Sequence, residues 1–477
     1  MNYEAVIGLE VHVELSTKTK AFCGCTTEYG GKPNSHICPV CVGLPGALPR
    51  INREVVNKAL KTGLALNCKI NRQNRFDRKN YFYPDAPKNY QITQNDLPIC
   101  YEGFIEIATE EGGKKRIGIE RIHMEEDAGK QLHSSKGTLV DFNRSGVPLI
   151  EIVSKPEIST PEEATLFLTK LRSILLSLGV SDVKMEEGSL RCDGNISIRE
   201  VGATELGVKS EIKNMNSFKA LEKALRFEFQ RQKEALEQGE KLTVETRRWD
   251  EEQEKTIVMR SKEMANDYRY FPEGDLVSLN ISEEWIESIR EGIKELPHEK
   301  EDRFVTAYGI PRYDAMVLTL TEDLADFFDE AAKLSEDAKA VSNWLMGDIS
   351  RLMNEKGTWV RKLLFTPKDL SDLVELINKG TISSAIAKKV LEFMFSEGKN
   401  PKVIVEEKGL VQNSDEDFIL LAVKKVLEDY PNVVEDYRQG KTKIMGFAVG
   451  QTMKATKGKA NPSIINKLVQ EELERRK

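Results

Sequence analysis

The chain begins with a segment in which apolar and polar residues alternate strictly. From Ala5 to Leu15 every odd position is apolar, whereas the even positions include Glu10, His12 and Glu14. Such period-two alternation is typical of a strand with one buried face, and it places these three side chains together on the opposite face. The sequence therefore predicts a strand whose polar face carries ionisable groups.

Two later segments repeat this pattern. In RIHMEEDAGK the ionisable residues His123, Glu125 and Asp127 occupy alternate positions. In LRCDGNISI, Arg191, Asp193 and Asn195 do the same. Both segments are predicted to be strands with one polar face. Strands of this kind indicate an active site, although each acidic residue could also line a solvated sheet face.

The first 295 residues are predicted to form one large α+β domain. Alternating segments and glycine-rich breaks dominate there, and helical spacing recurs from Pro161 to Leu178 and from Phe218 to Gln238. Proline is favourable in the first turn of a helix, which supports the start at Pro161. These helices should pack against a sheet.

From residue 296 the spacing of apolar residues becomes helical. We expect an all-helical domain over residues 296–400 and a small helical tail domain over residues 401–477, joined at a Gly-Lys-Asn-Pro linker. Within the tail the pattern predicts helices from Glu416 to Asp429 and from Ser463 to Arg475. The fold class is α+β, with a sheet-containing domain followed by two helical ones.

Charge is distributed unevenly along the 477 residues. The net charge is −7, yet residues 438–477 hold ten Lys or Arg and three Glu, which gives 10 − 3 = +7 and leaves −14 for the rest. Lysines clustered at Lys454, Lys457 and Lys459 would attract the phosphate backbone of a nucleic acid. The alternative is a solvated basic terminus.

Four of the seven cysteines form two closely spaced pairs, Cys23 with Cys25 and Cys38 with Cys41. This spacing is typical of a tetrahedral zinc site, and four sulfur ligands leave no open position for catalysis. We expect structural Zn²⁺, with unmetallated thiols or a disulfide as the alternatives. No apolar run is long enough to span a membrane and no signal sequence is evident, so a cytoplasmic protein is expected.

A second candidate metal site combines carboxylates with a histidine. Its members are Glu10, His12, Glu125 and Glu151. Mg²⁺ prefers oxygen ligands and commonly uses one or two carboxylates together with substrate phosphates, which suits nucleotide chemistry.

Residues 71–90 interleave basic and aromatic side chains, among them Lys79, Tyr81, Tyr83 and Lys88. Cations bind phosphate and aromatic rings stack on bases, so the segment suits a nucleotide or an RNA end. A partly buried loop with cations at its rim would have the same composition.

Two familiar motifs are absent from the sequence. It has no G-x-x-x-x-G-K-[ST] phosphate loop, so an ATP site would be of another type. It also has no G-x-S-x-G nucleophile elbow. The chain is therefore not expected to supply its own acyl-transfer nucleophile.

Eight strings in consistent order resemble one family, the B subunit of the bacterial aspartyl/glutamyl-tRNA amidotransferases (the GatB family). They are YEAVIGLEVHVELST, CPVCVGLPGALP, DRKNYFYPDAPKNYQITQ, RIHMEEDAGK, DFNRSGVPLIEIVS, RCDGNISIR, EIKNMNSFK and GQTMKATKGKANP. The resemblance extends from the first strand to the tail. It implies an α+β cradle domain, a helical domain and a small tail.

The resemblance also implies an ATP-dependent carbon–nitrogen ligase that uses glutamine as the amide donor. ATP would phosphorylate the side-chain carboxylate of Glu-tRNA(Gln) or Asp-tRNA(Asn), and ammonia would then displace phosphate. Ammonia would come from a separate glutaminase (amidase) subunit, and a small third subunit would hold the pair together. The alternative function is that of a non-catalytic scaffold, held together by zinc, that presents tRNA to a partner enzyme.

In such a reaction, Mg²⁺ bound by Glu10, His12, Glu125 and Glu151 would neutralise charge during phosphoryl transfer. The remaining polar residues of these motifs are expected to bind nucleotide or substrate or, for Asp193 and Asn195, to orient substrate or a metal-bound water. They are Tyr81, Tyr83, Lys88, Arg144, Arg191, Asp193, Asn195 and Lys213. Lys79 is expected to be catalytic together with the metal ligands, through contact with phosphate oxygens or the substrate carboxylate.

Overall fold

The protein divides into two compact units, Met1–Pro297 and His298–Lys477. The structure is a computed structural model and describes residues 2–109, 113–135, 137–261, 267–411, 415–441, 444–456 and 460–476. The first unit is a sheet with helices and the second is helical, so the predicted α+β class is confirmed.

The first unit is built on strands from distant parts of the chain. They are β1 (Tyr3–Glu14), β2 (Lys69–Ile70), β3 (Gln73–Asn74), β4 (Asp77–Asn80), β5 (Tyr90–Thr93), β6 (Cys100–Ala108), β7 (Lys114–Glu126), β8 (Lys130–Ser134), β9 (Gly137–Asp141), β10 (Pro148–Ser154), β11 (Leu190–Glu200), β12 (Ser210–Lys213), β13 (Glu245–Asp250), β14 (Lys255–Ser261), β15 (Phe271–Pro272) and β16 (Leu279–Asn280). Nine of them form one sheet in the order β14-β13-β12-β11-β1-β10-β7-β6-β2. Within it β12 and β13 pair in parallel and the other neighbours are antiparallel.

Helices cover one face of this sheet. They are α1 (Arg53–Ala65), α2 (Pro161–Ser177) and α3 (Phe218–Glu237), and a fourth helix, α4 (Glu283–Glu291), packs against α1. The start of α2 is fixed locally, because Thr160 caps the helix by accepting a hydrogen bond from the backbone N–H of Glu163 and Pro161 occupies the first turn. Both α2 and α3 agree with the helical segments predicted from the sequence.

The alternation in β1 decides which face is covered. Ile7, Leu9, Val11 and Val13 are fully or almost fully buried in the core cluster beneath the helices. Their neighbours Glu10, His12 and Glu14 must then point to the opposite face, because successive side chains in a strand alternate. That face carries the candidate site.

The second unit is helical. Its helices are α5 (Pro297–Tyr308), α6 (Arg312–Leu318), α7 (Glu322–Leu334), α8 (Ala338–Trp344), a π-helical segment (Leu345–Ile349), α9 (Ser350–Lys356), a 3₁₀ turn (Val360–Lys362), α10 (Pro367–Asn378), α11 (Ser384–Glu397), α12 (Pro401–Glu407), α13 (Glu416–Asp429), α14 (Pro431–Arg438), α15 (Ile444–Ala455) and α16 (Pro462–Arg475). The two helices predicted in the tail correspond to α13 and α16.

Two separate apolar cores lie within this unit. One spans Phe304 to Val405 and the other Ile419 to Leu473. Ile404 and Val405 of α12 belong to the first core, so this helix packs with the helical domain although it follows the predicted linker at residue 400. None of the helices in the described parts of the chain is long and apolar enough to cross a membrane.

Candidate active site

Strand register brings four ionisable side chains into one row across the sheet. His12 on β1 lies opposite Glu151 on β10 and Arg191 on β11, and Glu151 in turn lies opposite His123 on β7. Cross-strand partners share a face, so all four project to the side away from the helices. The row crosses the middle of the nine-stranded sheet.

The side chains in this row converge on a neighbouring carboxylate, that of Glu125. The Nε2 atom of His12 is 3.3 Å from Glu151 Oε2 and 3.6 Å from Glu125 Oε1. The Nε2 atom of His123 is 3.2 Å from the same Glu151 oxygen and 3.7 Å from Glu125 Oε2. Two imidazoles and two carboxylates therefore form a compact cluster, which we call the His–Glu cluster.

The imidazoles and carboxylates of this cluster attract each other and shift each other's pKa values. Burial disfavours a charged imidazole, but Glu125 and Glu151 outweigh it and raise the pKa of His123 to about 9, and the same balance raises the pKa of His12. Burial also disfavours the Glu151 carboxylate, yet hydrogen bonds from both imidazoles lower its pKa. The two carboxylates therefore attract positive charge, which protons or a metal ion can supply.

Three members of the cluster could hold a metal ion. His12, Glu125 and Glu151 each offer one ligand atom, and these atoms lie within 4.8 Å of one another. Two carboxylates and one imidazole suit a divalent cation that keeps open positions for phosphate oxygens. The Nδ1 atom of His123 is buried without a hydrogen-bond partner among the described residues. His123 is absent from the ligand set predicted from the sequence, although its alternation with Glu125 is visible there.

Glu10 is the exception among the predicted magnesium ligands. It lies opposite Asp193 and forms a second carboxylate group with Asp193 and Glu211, so it does not join the His–Glu cluster. Strand register explains the separation, since Glu10 is two residues along β1 from His12.

The second carboxylate group already contains a cation. The Nζ atom of Lys213 is 2.6 Å from Asp193 Oδ2 and 2.9 Å from Glu211 Oε1. Asn195 donates a hydrogen bond of 2.8 Å from Nδ2 to Glu10 Oε1. The structure thus brings the predicted site residues Lys213, Asp193 and Asn195 together. The sequence signal for Glu211 is its alternation with Lys213 on β12.

An aromatic wall stands beside the His–Glu cluster. Tyr81 stacks on Tyr83 with ring centroids 5.5 Å apart, and Tyr268 lies 6.4 Å from Tyr81 and 6.0 Å from Tyr270. The ammonium of Lys79 lies 4.8 Å from the centroid of Tyr268. Rings and a cation in this arrangement suit a base or sugar with an adjoining phosphate.

Residues from two distant segments build this wall. Asn80 on β4 donates hydrogen bonds from Nδ2 to the carbonyl oxygens of Tyr268 and Arg269, at 3.1 and 2.8 Å. A cavity of about 470 Å³ opens between the wall and the sheet, and it is lined by His12, Lys79, Tyr81, Glu125, Arg191 and Tyr268, among others. Sequence reasoning missed Tyr268 and Tyr270, although the string DYRYF is rich in the same residue types.

Other predicted substrate-binding cations have carboxylate partners within the protein. Lys88 pairs with Glu126, and Arg191 Nη2 donates to Asp127 at 2.8 Å. Arg144 donates from Nε and Nη2 to the carbonyl oxygens of residues 128 and 129 and lies 3.4 Å from Asp127. All three cations are therefore held in internal ion pairs, and Lys88 and Arg191 line the cavity.

Asp127 also meets Glu14, a further acid that sequence reasoning did not place in the site. Burial and the neighbouring Asp127 raise the pKa of Glu14 to about 8. Burial disfavours the Asp127 carboxylate, but Arg191 and Arg144 lower its pKa. Near neutral pH the pair therefore shares one proton, with Asp127 ionised.

The four paired cysteines converge as predicted. The Sγ atoms of Cys23, Cys25, Cys38 and Cys41 lie within 4.8 Å of one another. The hydrogen bond from Cys23 lowers the pKa of Cys41 to about 5 against the effect of burial, and Lys20 acts in the same direction. Four sulfur donors with one thiolate already favoured fit a tetrahedral zinc ion.

In the tail, Lys454 is exposed near the end of α15. Lys457 and Lys459 lie outside the described residues. Of these three predicted lysines, the structure therefore describes only Lys454.

Comparisons with known proteins agree along the whole chain. A family model described as the GatB/GatE catalytic domain matches residues 5–287, and one described as the GatB domain matches residues 326–473. Relatives named as the B subunit of aspartyl/glutamyl-tRNA(Asn/Gln) amidotransferase occur in Clostridium botulinum. Those of strains Eklund 17B and Alaska E43 are each 69% identical over 476 residues, covering 100% of both chains, and that of strain 657 is 68% identical over 472 residues, covering 99% of both.

Proposed function

This chain belongs to the GatB family, the B subunits of the aspartyl/glutamyl-tRNA(Asn/Gln) amidotransferases, and we propose that its His–Glu cluster activates the carboxylate of an amino acid attached to tRNA. The chain is then the synthetic component of an ATP-dependent carbon–nitrogen ligase. Its product is Gln-tRNA(Gln), Asn-tRNA(Asn) or both. A glutaminase (amidase) partner supplies ammonia and a small third protein joins the complex, in the cytoplasm where tRNA is charged.

The reaction has two steps. A side-chain carboxylate oxygen of the attached Glu or Asp attacks the γ-phosphorus of ATP, and the bond from that phosphorus to the bridging oxygen breaks, so ADP leaves. Ammonia then attacks the carbonyl carbon of the acyl phosphate, the carbon–oxygen bond breaks, and inorganic phosphate departs while the nitrogen loses a proton. Activation is required because an oxide ion is a poor leaving group whereas phosphate is a good one.

The observation that supports this proposal is the convergence of His12, Glu125 and Glu151 beside a cavity that is lined by His12, Glu125 and Lys79. Magnesium bound by those three residues would neutralise phosphate charge and align the γ-phosphate with the carboxylate. Lys79 supplies a further positive charge beside the cluster, and the aromatic wall offers stacking surfaces for adenosine.

Other parts of the chain have their own proposed roles. We propose that Zn²⁺ held by the four cysteines fixes the loop that follows β1. We further propose three domains: the sheet-containing cradle, the helical domain, and a tail that binds the tRNA through basic residues. Because α12 packs with the helical core, we place the start of the tail after residue 411.

A direct test supplies ammonium chloride in place of glutamine, so that no glutaminase activity is needed. The complex is incubated with ATP and Glu-charged tRNA(Gln), and the attached amino acid is released and identified. Conversion of Glu to Gln that requires ATP supports the proposal. Tight tRNA binding without conversion would instead support the non-catalytic scaffold.

A further inference from the structure

Arg121 lies on the same face of the sheet as the His–Glu cluster. It lies on β7 two residues before His123, so both side chains project to the same face. Its cross-strand partners are Tyr101 on β6 and Val153 on β10, and Val153 in turn lies opposite Glu10. Arg121 therefore stands at the side of the cluster away from Arg191.

Arg121 lacks a partner for its charge. Within the described part of the chain its guanidinium makes no side-chain hydrogen bond and has no carboxylate within 4 Å, and its Nε atom is buried and unsatisfied. Apart from Lys79, the cations that line the cavity are each paired with a carboxylate; they are Lys88, Arg191 and Lys213. Because a partly buried guanidinium without hydrogen bonds is costly, its presence calls for a ligand.

Lys79 shares this property. Among the described residues its ammonium contacts the ring of Tyr268 and has no carboxylate within 4 Å. Burial disfavours the charged ammonium, but the longer-range attraction of Glu125 outweighs it and raises the pKa of Lys79. Tyr270 connects the two cations electrostatically: burial dominates and raises the pKa of its phenol, while Lys79 and Arg121 both act in the opposite direction. Two unpaired cations thus flank one tyrosine beside the His–Glu cluster.

We propose that Arg121 and Lys79 form an oxyanion-binding pair for the phosphoryl group as it passes from ATP to the substrate carboxylate. This inference rests on the proposed function. A guanidinium presents parallel N–H donors that match two oxygens of one phosphoryl group, and an ammonium adds a point charge. The step brings a carboxylate and a triphosphate together on an acid-lined face, so cations that are not already held in a close ion pair are needed.

Phosphoryl transfer to the carboxylate requires no proton transfer. The carboxylate oxygen forms a bond to phosphorus, the bond to the β,γ-bridging oxygen breaks, and its electron pair leaves on ADP. Arg121 stays protonated throughout and binds the equatorial oxygens. Its contribution should therefore appear in the rate of phosphoryl transfer more than in affinity for tRNA.

The test uses the assembled complex with Glu-charged tRNA(Gln) and compares the variants R121Q and R121K with R116Q. Arg116 is a matched control because it lies on the same strand, is 67% exposed, and pairs with Glu106 at 3.1 Å. We expect R121Q to lower kcat for γ-phosphate release about 100-fold and R121K to lower it about 10-fold, with unchanged affinity for uncharged tRNA. R116Q should match the wild type.

The outcomes separate the two proposals. Turnover of R121Q and R121K within threefold of wild type, or a rise confined to KM for charged tRNA, would overturn the role of Arg121 while leaving the proposed function intact. Reduced affinity of R121Q for uncharged tRNA would also overturn it, because it would assign Arg121 to a tRNA backbone phosphate. Absence of charged-tRNA-dependent release in wild type and R116Q would contradict the proposed function itself. If R121Q melts at a lower temperature than R116Q, R121K alone decides the question.

Discussion

Glu151 lies directly opposite His12 on the neighbouring strand, and its Oε2 atom is 3.3 Å from the Nε2 atom of that histidine. The same oxygen is 3.2 Å from Nε2 of His123 on the other side. One carboxylate thus bridges two imidazoles from strands that are more than 100 residues apart along the chain. Substitutions around this bridge and at the cysteine site, and truncation of the tail, test the proposed roles.

Replacing Glu125 with Gln should remove a metal ligand while preserving the size of the side chain. We expect ATP cleavage stimulated by charged tRNA to fall about 100- to 1000-fold, because charge neutralisation at the phosphoryl group is lost. Affinity for tRNA should be nearly unchanged, as measured by filter binding. Glu120→Gln on the same strand is the control, since Glu120 is exposed. Full activity of Glu125→Gln would remove Glu125 from the metal site.

The raised pKa of Glu14 predicts a pH dependence of stability. Its folded pKa of about 8 lies above the ordinary value of 4.5, so between these values the folded protein binds more protons than the unfolded chain. The contribution is therefore fully present below about pH 4.5 and is lost as the pH rises to about 8.

The variant Glu14→Gln cannot ionise and should not show this loss. We expect its melting temperature, relative to wild type, to increase between pH 5 and pH 8.5. Groups common to both proteins, such as His123, cancel in this comparison. Melting temperatures that stay parallel across the range would show that Glu14 is ionised at neutral pH.

Lys20 should stabilise the proposed zinc site. Its side chain is fully buried, and Nζ donates to the carbonyl oxygen of His36 at 2.7 Å and lies 3.8 Å from Cys41 Sγ. Four thiolates around Zn²⁺ carry a net charge of −2, which a buried ammonium partly offsets.

We expect Lys20→Met to release zinc to a chromophoric chelator at least about 10-fold faster than wild type. Lys18→Met is the control, because Lys18 is exposed two residues earlier. Equal release rates would exclude a role for Lys20, and absence of bound zinc from the purified wild type would contradict the site itself.

Truncation of the tail should distinguish tRNA binding from folding. A chain that ends at residue 411 keeps both Ile404 and Val405, so its helical core should stay intact. We expect KM for charged tRNA to rise roughly tenfold and the salt dependence of binding to weaken, while the partner's glutaminase activity persists. A chain that ends at residue 400 loses α12 and should also melt at a lower temperature. Unchanged KM for the longer truncated chain would exclude the tail from tRNA binding.

Much of the fold could be predicted from local patterns. The alternation from Ala5 to Leu15 predicted the strand Tyr3–Glu14 and the face on which His12 lies, and the proline at 161 marked the start of α2. These features depend on neighbouring residues alone, as does the start of α13 near Glu416, where Asp415 provides the cap. Local sequence determines such elements because their hydrogen bonds and caps are short-range.

The composition of the site depended on contacts that local patterns do not encode. Period-two spacing places Glu10 and His12 on one face, but only the pairing of β1 with β10 and β11 assigns them to different clusters. The ion pair between Lys88 and Glu126 and the approach of Tyr268 to Lys79 join distant segments. Strand register and loop packing set those neighbours, and a single sequence specifies them only through the complete fold.

Activation of the tRNA-bound carboxylate is tested most directly by release of γ-phosphate from ATP, using the complex of this chain with its amidase and small partners. Glu-charged tRNA(Gln) is compared with the same tRNA uncharged, for the wild type and for Glu125→Gln. We predict release that depends on the charged form and is lost in Glu125→Gln. Equal release with both forms, or none with either despite tight tRNA binding, would contradict carboxylate activation by this chain.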